Sequence, residues 1–173
     1  MNLKKWIKYY NLGPNKTRDG RPTRMVDEVS EKAFPANFKK NGRPLPVDIA
    51  HVSLGNHPEI TMTAAERFAK YADITDVKVE NAGVWGFTEF NAAGTKMIAD
   101  GLITGISPYG EPGEVLQDGS IRIVALKGAG LTNDPNLHIP DITADDRTGS
   151  DTVCGDVIDL TFLKLDAETS NNT

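Results

Sequence analysis

The sequence predicts an α+β domain in which strands outnumber two or three helices. Short apolar runs bounded by Gly, Pro, Asn and Asp recur through the first 140 residues, a pattern typical of strands joined by tight turns. The clearest pair of runs, 74–80 and 84–90, is separated by a three-residue turn and predicts a hairpin. A capping-box pattern from Thr63 to Glu66 and an asparagine at position 91 indicate helix starts.

Length and composition fit one domain with a true hydrophobic core. The chain has 173 residues, of which 39% are hydrophobic, so it can bury a sizeable interior. Its formal charge of −5 is uneven, because residues 141–173 contain eight acidic and only two basic side chains. No basic region indicates a nucleic-acid partner, and no apolar run is long enough to cross a bilayer. We therefore expect a soluble intracellular protein that binds neither nucleic acid nor membrane.

The single cysteine, Cys154, permits no internal disulfide and suits a reducing compartment. A buried structural cysteine is the commoner case, and a thiol nucleophile is the alternative. The composition also divides the chain into three parts. We predict a basic, turn-rich N-terminal arm or hairpin at 1–24, a main domain at 25–140 and an acidic C-terminal extension at 141–173.

The elements of the main domain follow from periodicity and turn residues. Apolar spacing predicts a helix over 26–40, which Pro35 should break or kink. A strand over 45–49 and a loop over 52–60 come next. The capping box opens an amphipathic helix that we extend to residue 72.

The second half of the domain reads as further strands around one short helix. After the 74–90 hairpin we predict a helix from Asn91 to Ala99 and a strand over 102–106 that ends at Ser107, because Pro108 removes a backbone donor. A second hairpin turns at 118–119, and its return strand continues to residue 132 past a bulge near Gly128.

Two side chains stand out because each follows an apolar run. His51 comes after the strand 45–49, and Ser107 follows the strand 102–106. A histidine that accepts a proton and a serine that attacks a carbonyl are the minimum for a serine hydrolase. Structural roles for a lone histidine and for a serine at a strand end remain the ordinary alternative. The chain has no Gly-x-Ser-x-Gly elbow, which argues against an α/β-hydrolase.

Other candidates for chemistry are weaker. Asp48 lies three residues before His51, so on a regular strand it points to the opposite face and reaches the imidazole only if the chain turns between them. His57 and His138 have no evident partner. Neither a zinc-ligand pattern nor a phosphate-binding glycine loop is present, so we expect no metal and no cofactor.

Four segments in order resemble the phage Mu-type I protein family, the prohead (capsid maturation) protease and scaffold proteins of tailed phages. The four segments are 18–22, 45–51, 83–90 and 129–135. The third of them, 83–90, is followed by 98–101 and 106–108, which also resemble the family. The resemblance spans about residues 9–140.

The resemblance implies a fold like that of the herpesvirus assemblins, a small antiparallel β-barrel flanked by helices. It implies a serine endopeptidase active in the host cytoplasm, inside the immature capsid, on scaffold and major capsid proteins, with self-association left open. Carried over by position, His51 matches the general base and Ser107 the nucleophile.

The chain departs from the family pattern at three places. Ala50 stands where the family has a glutamate, and the place where related proteases have an acid falls near Lys127 or Gly128, neither of which is acidic. In the herpesvirus enzymes the third catalytic residue is a second histidine. The only histidine after Ser107 in this chain is His138, which follows Pro135. The third catalytic residue is therefore unassigned. A catalytically inactive homologue that acts as an internal scaffold or minor capsid protein is the alternative function, and an unrelated β-barrel binding module is a further one.

Overall fold

A mixed β-sheet forms the body of the protein in the computed structural model, which describes residues 2–137. Three α-helices and one 3-10 turn, Val52–Leu54, accompany the strands in this range. The strands and helices are β1 Lys4–Asn11, β2 Gly13–Asn15, β3 Arg24–Val26, α1 Glu28–Asn41, β4 Leu45–Ile49, α2 Ala64–Arg67, β5 Ala72–Glu80, β6 Gly83–Phe90, α3 Ala92–Ala99, β7 Gly105–Val115 and β8 Ile121–Thr132.

The sheet has the order β1-β6-β5-β4-β8-β3-β2, and β7 pairs with β8 outside that path. The long strand β8 pairs with β7 along one edge. Along its other edge it pairs with β3 near its start and with β4 near its end. The sheet curls into a half-barrel. Strand content and few helices agree with the predicted α+β class.

The antiparallel character that the resemblance implies holds for most strand pairs but not for two. β4 and β3 run parallel to β8, so the sheet is mixed. β3 and β4 therefore run in the same direction along one edge of β8, and α1 connects the two strands. This helix packs over β5 and β8 and inserts Phe34 into the core.

The core lies between this helix and the concave sheet. Its fully buried side chains come from most of the strands and include Ile7, Tyr9, Ile74, Ile106 and Leu131. The first strand, β1, runs through the segment predicted as an N-terminal arm and pairs with β6 over most of its length. Burial of its apolar face ties this segment to the same core as the main domain.

Helix α1 confirms the predicted helix but continues through Pro35. The helix begins at an Asp27 cap that accepts hydrogen bonds from Val29 and Ser30, and it ends at Gly42 in the left-handed conformation. These two caps and the burial of Phe34 offset the backbone hydrogen bond that the proline removes.

The helix predicted over 63–72 is shorter than expected. The capping box between Thr63 and Glu66 is present, but α2 ends at Arg67. Tyr71 instead donates its backbone N–H to Val47 O at 2.8 Å and accepts one from Asn91 N at 2.9 Å. Joining the sheet therefore outweighs the helical periodicity of this segment.

The prediction that a strand ends at Ser107 is wrong. Ser107 is the third residue of β7, which continues through Pro108 to Val115. Within residues 2–137, β7 pairs only with β8, so its outer edge needs no donor at the proline. The two hairpins, α3 with its Asn91 cap, and the bulge near Gly128 are confirmed. No helix in the described part of the chain is long and apolar enough to cross a membrane.

Candidate active site

One cleft of about 950 Å³ contains both candidate catalytic side chains in its lining. His51 and Ser107 lie there together with Tyr109, and the hydrophobic floor includes Ile121 and Ile123. The remaining walls come from the segments 18–24, 54–57 and 132–137. The fold therefore brings together two residues that are distant along the chain.

Ser107 is held by the backbone ladder of the sheet. Its direct neighbour across β7 and β8 is Gly130, and Asp48 on β4 pairs with the same glycine from the other side. The serine is 8% exposed, and its hydroxyl has no hydrogen bond to any of residues 2–137. The oxygen is thus buried at the cleft surface and not committed to a structural bond within this range.

His51 lies just beyond β4, in a turn that the sequence alone did not show. Ala50 and His51 both adopt left-handed backbone conformations, with φ of 48° and 56°. Such conformations cost about 1 kcal/mol or more each for residues with a Cβ. The turn is therefore stabilised by its surroundings.

Asp48 supplies much of that stabilisation. Its buried carboxylate accepts hydrogen bonds from His51 N at 3.1 Å, Ser53 N at 2.9 Å and Ser53 Oγ at 2.5 Å. Ala50 N also donates to Leu131 O on β8 at 2.8 Å. The chain does turn between Asp48 and His51, but the carboxylate binds the histidine through its backbone rather than its ring.

Gly130 makes room for this turn. A Cβ atom at position 130 would lie 2.8 Å from His51 N, 3.1 Å from His51 Nδ1 and 3.0 Å from Asp48 Oδ1. The 2.8 Å approach to a backbone atom is too short for a real Cβ and the other two are tight, so glycine lets the histidine turn pack onto β8 beside Ser107. The sequence alone did not show that Gly130 fits against the His51 turn.

The electrostatics of the cleft favour a neutral imidazole. Burial lowers the pKa of His51, the charge of Asp48 raises it, and the charge of Arg21 lowers it again, with a net shift below the ordinary value of 6.5. A neutral imidazole at pH 7 is the form that accepts a proton. The Tyr109 ring lies beside it, with ring centroids 6.4 Å apart.

A second feature that sequence reasoning missed is Arg67, which organises the loop after His51. Its guanidinium donates to four carbonyls of the segment 52–60: Val52 O at 3.2 Å, Asn56 O at 3.0 Å, His57 O at 3.4 Å and Ile60 O at 3.0 Å. In the sequence Arg67 is a polar residue of a predicted amphipathic helix, and no spacing marks it as a loop anchor.

A third member for the Ser–His pair is not found among residues 2–137. No acid of this range hydrogen-bonds the His51 ring. His138 and Cys154 lie outside the described residues, as does the acidic extension 141–173. No group of three metal-ligating side chains occurs in the described range.

The fold and the cleft define a mostly-sheet protein in which a neutral histidine and a buried serine share one cleft. The chain matches the model of the Mu-like prophage I protein, N-terminal domain, over residues 7–143, and it belongs to that family. The match supports a phage-related function. Searches of curated proteins and of solved structures returned no match to the chain.

Proposed function

We propose that this protein is a phage prohead serine endopeptidase that cleaves scaffold and major capsid proteins during head maturation. The observation that supports this most directly is the shared cleft of Ser107 and a neutral His51. Membership of the Mu-like prophage I family supports the phage setting. The setting that we propose is the immature capsid in the host cytoplasm, with self-association among the interactions to be tested.

The mechanism that this geometry suggests is acyl transfer. His51 removes the proton of the Ser107 hydroxyl as the serine oxygen attacks the peptide carbonyl. The imidazolium then gives that proton to the leaving amine, and the peptide bond breaks to leave an ester on Ser107. A water molecule, deprotonated by His51, hydrolyses the ester and restores the free serine.

Asp48 compensates in part for the third member that residues 2–137 do not supply. It does not bond the ring, but its negative charge raises the pKa of His51 and so favours the imidazolium that forms during the reaction. In proteases with a triad the acid also fixes the tautomer and the orientation of the ring. Here the orientation depends instead on the backbone turn that Asp48 holds.

The test is to express the wild type and Ser107→Ala with the scaffold and capsid proteins of the same phage. We expect shortened scaffold and capsid products with the wild type only. Ser120→Ala is the matched control, because its hydroxyl bonds Asp118 in the β7–β8 turn and it does not line the cleft. The control should process its substrates like the wild type.

A non-catalytic scaffold or minor capsid role is the second candidate. It is favoured by the ring of His51, which has no hydrogen-bonded acid within the described range. The same experiment separates the two functions. Identical product patterns for the wild type and Ser107→Ala, with heads assembled only when the protein is present, would reject the peptidase and support the scaffold role.

A further inference from the structure

One wall of the cleft is formed by the segment Thr17–Arg24, which we call the arginine turn. Its three arginines all line the cleft, where two aspartates, Asp19 and Asp134, provide the opposing charge. The charged side chains that line the cleft in the described part of the protein therefore carry a net positive charge. The whole chain is acidic because of residues 141–173. A cationic wall beside a candidate peptidase centre has a direct bearing on which peptides it accepts.

Hydrogen bonds hold the backbone of the arginine turn in place. Thr17 Oγ donates to Arg21 O at 2.6 Å, and Arg21 N donates to Asp19 Oδ1 at 3.2 Å. The turn is fastened to the other wall because Arg18 N donates to Asn136 O at 2.7 Å. A ligand that binds its arginines therefore meets backbone that is already ordered, which lowers the entropic cost of binding.

Two of the arginines have donors to spare. Arg21 uses Nε on Asp19 Oδ2 at 2.6 Å, and its terminal amino groups bond no side chain or backbone atom of residues 2–137. The guanidinium of Arg18 has no ion pair or hydrogen bond within the same range. The Arg21 charge also acts on the imidazole of His51, whose pKa it lowers. Free donors and catalytic histidine are thus close enough to influence one another.

We propose that the arginine turn selects peptides with a glutamate or aspartate within two residues of the scissile bond. The substrate carboxylate is bound by the terminal amino groups of Arg21, with Arg18 as the second cation. A guanidinium matches a carboxylate in charge and in planar geometry. This inference names the substrate class of the proposed peptidase and rests on that function.

Binding of this carboxylate also assists the chemistry at His51. In the free cleft the charge of Arg21 opposes protonation of the imidazole. A bound carboxylate neutralises that charge, so the imidazolium forms more easily when an acidic substrate is in place. Recognition and proton transfer are therefore coupled, and the preference should be expressed in kcat as well as in KM.

The experiment compares two randomised octapeptide libraries, one containing Glu and Asp and the other with Gln and Asn in their place. Cleavage sites and rates are read by mass spectrometry. For the wild type we expect acidic residues enriched within two positions of the cleaved bond and kcat/KM for the best acidic peptide at least about tenfold above its amide copy. Arg21→Gln should reduce this ratio to near one, and Arg21→Lys should retain part of it.

Arg43→Gln is the matched control, since this arginine is exposed and does not line the cleft. It should keep the wild-type ratio. An equal rate on both libraries for the wild type, or an unchanged ratio in Arg21→Gln, would overturn the inference. Arg18→Gln is the second variant should Arg21→Gln not fold, and it should lower the ratio in the same direction.

The proposed function and the substrate preference fail in different ways. If the wild type cleaves neither library, the peptidase function fails, and the preference is then tested as binding to Ser107→Ala. Tighter binding of a fluorescent acidic peptide than of its amide copy, lost in the Arg21→Gln background, supports the anion site. Equal affinities reject it.

Discussion

His51 and Ser107 line the same cleft, but the chain holds them in different ways. Ser107 lies inside a strand, where the ladder between β7 and β8 fixes its backbone whatever the side chain is. His51 lies in a left-handed turn beyond its strand, and that turn depends on the carboxylate of Asp48 and on the absence of a side chain at Gly130. Side-chain substitutions away from the pair should therefore disturb the histidine much more than the serine.

The largest effect on stability and activity should come from adding a side chain at position 130. In Gly130→Ala the new Cβ would lie 2.8 Å from His51 N, a separation too short to persist, so the histidine turn must move. We expect a loss of about 1–3 kcal/mol in the free energy of unfolding. The proposed peptidase activity should fall about 100-fold, because a small misplacement of His51 relative to Ser107 would be that costly for the proposed reaction.

Gly113→Ala is the control in the same pair of strands. Its Cβ would approach Val124 Cγ1 to 2.9 Å, but this contact lies outside the cleft and involves a side-chain methyl group. Activity should be unchanged. If Gly130→Ala retained wild-type activity and stability, the histidine turn would not depend on the close approach to β8. Thermal unfolding and kcat/KM are the measurements.

The next effect separates the two roles of Asp48. Asp48→Asn keeps the shape but removes the charge, and its amide group cannot accept all three hydrogen bonds. We expect a loss of about 1–3 kcal/mol in stability and about a tenfold loss of activity. Because the Asp48 charge raises the pKa of His51, the acidic limb of the activity profile should also move to lower pH.

Ser53→Ala is the matched variant for this comparison. It removes the hydroxyl donor to Asp48 but leaves the carboxylate in place, so it should cost only about 1 kcal/mol. The pH profile should not shift. A shift of the same size in both variants would show that the profile reports on the turn's geometry and not on the charge of Asp48.

A smaller effect is expected on the pH dependence itself. Because burial lowers the pKa of His51 below 6.5, wild-type kcat/KM should rise with pH and reach its plateau at a lower pH than an unperturbed imidazole would give. Arg21 lowers the pKa of His51, so Arg21→Gln should move the midpoint upward, opposite to Asp48→Asn. NMR titration of the His51 ring gives the same two directions independently of activity. Midpoints that moved together would contradict the assignment of these charges.

How much of this site was predictable depends on whether the contacts were local. The strand 45–49, the 74–90 hairpin and the Asn91 cap follow from turn residues and capping patterns, which act over a few positions. The left-handed turn at His51 depends on a carboxylate, on β8 and on a distant glycine, so periodicity could not show it. The extension of β7 past Pro108 was missed because only the sheet order reveals that this strand has an unpaired outer edge within residues 2–137.

The smallest effect concerns the loop on the far side of the histidine turn. Arg67→Gln removes the cation that joins four carbonyls of 52–60, but water can replace most of these bonds because the loop is largely exposed. We expect stability to fall by less than about 1.5 kcal/mol and KM to rise a few-fold. Hydrogen exchange of the 52–60 amides should accelerate, whereas exchange in β7 should not. Arg43→Gln should leave both regions unchanged. Faster exchange in β7 as well would show that this loop couples the serine side of the cleft to the histidine side. That result would contradict the conclusion that the chain holds Ser107 and His51 independently.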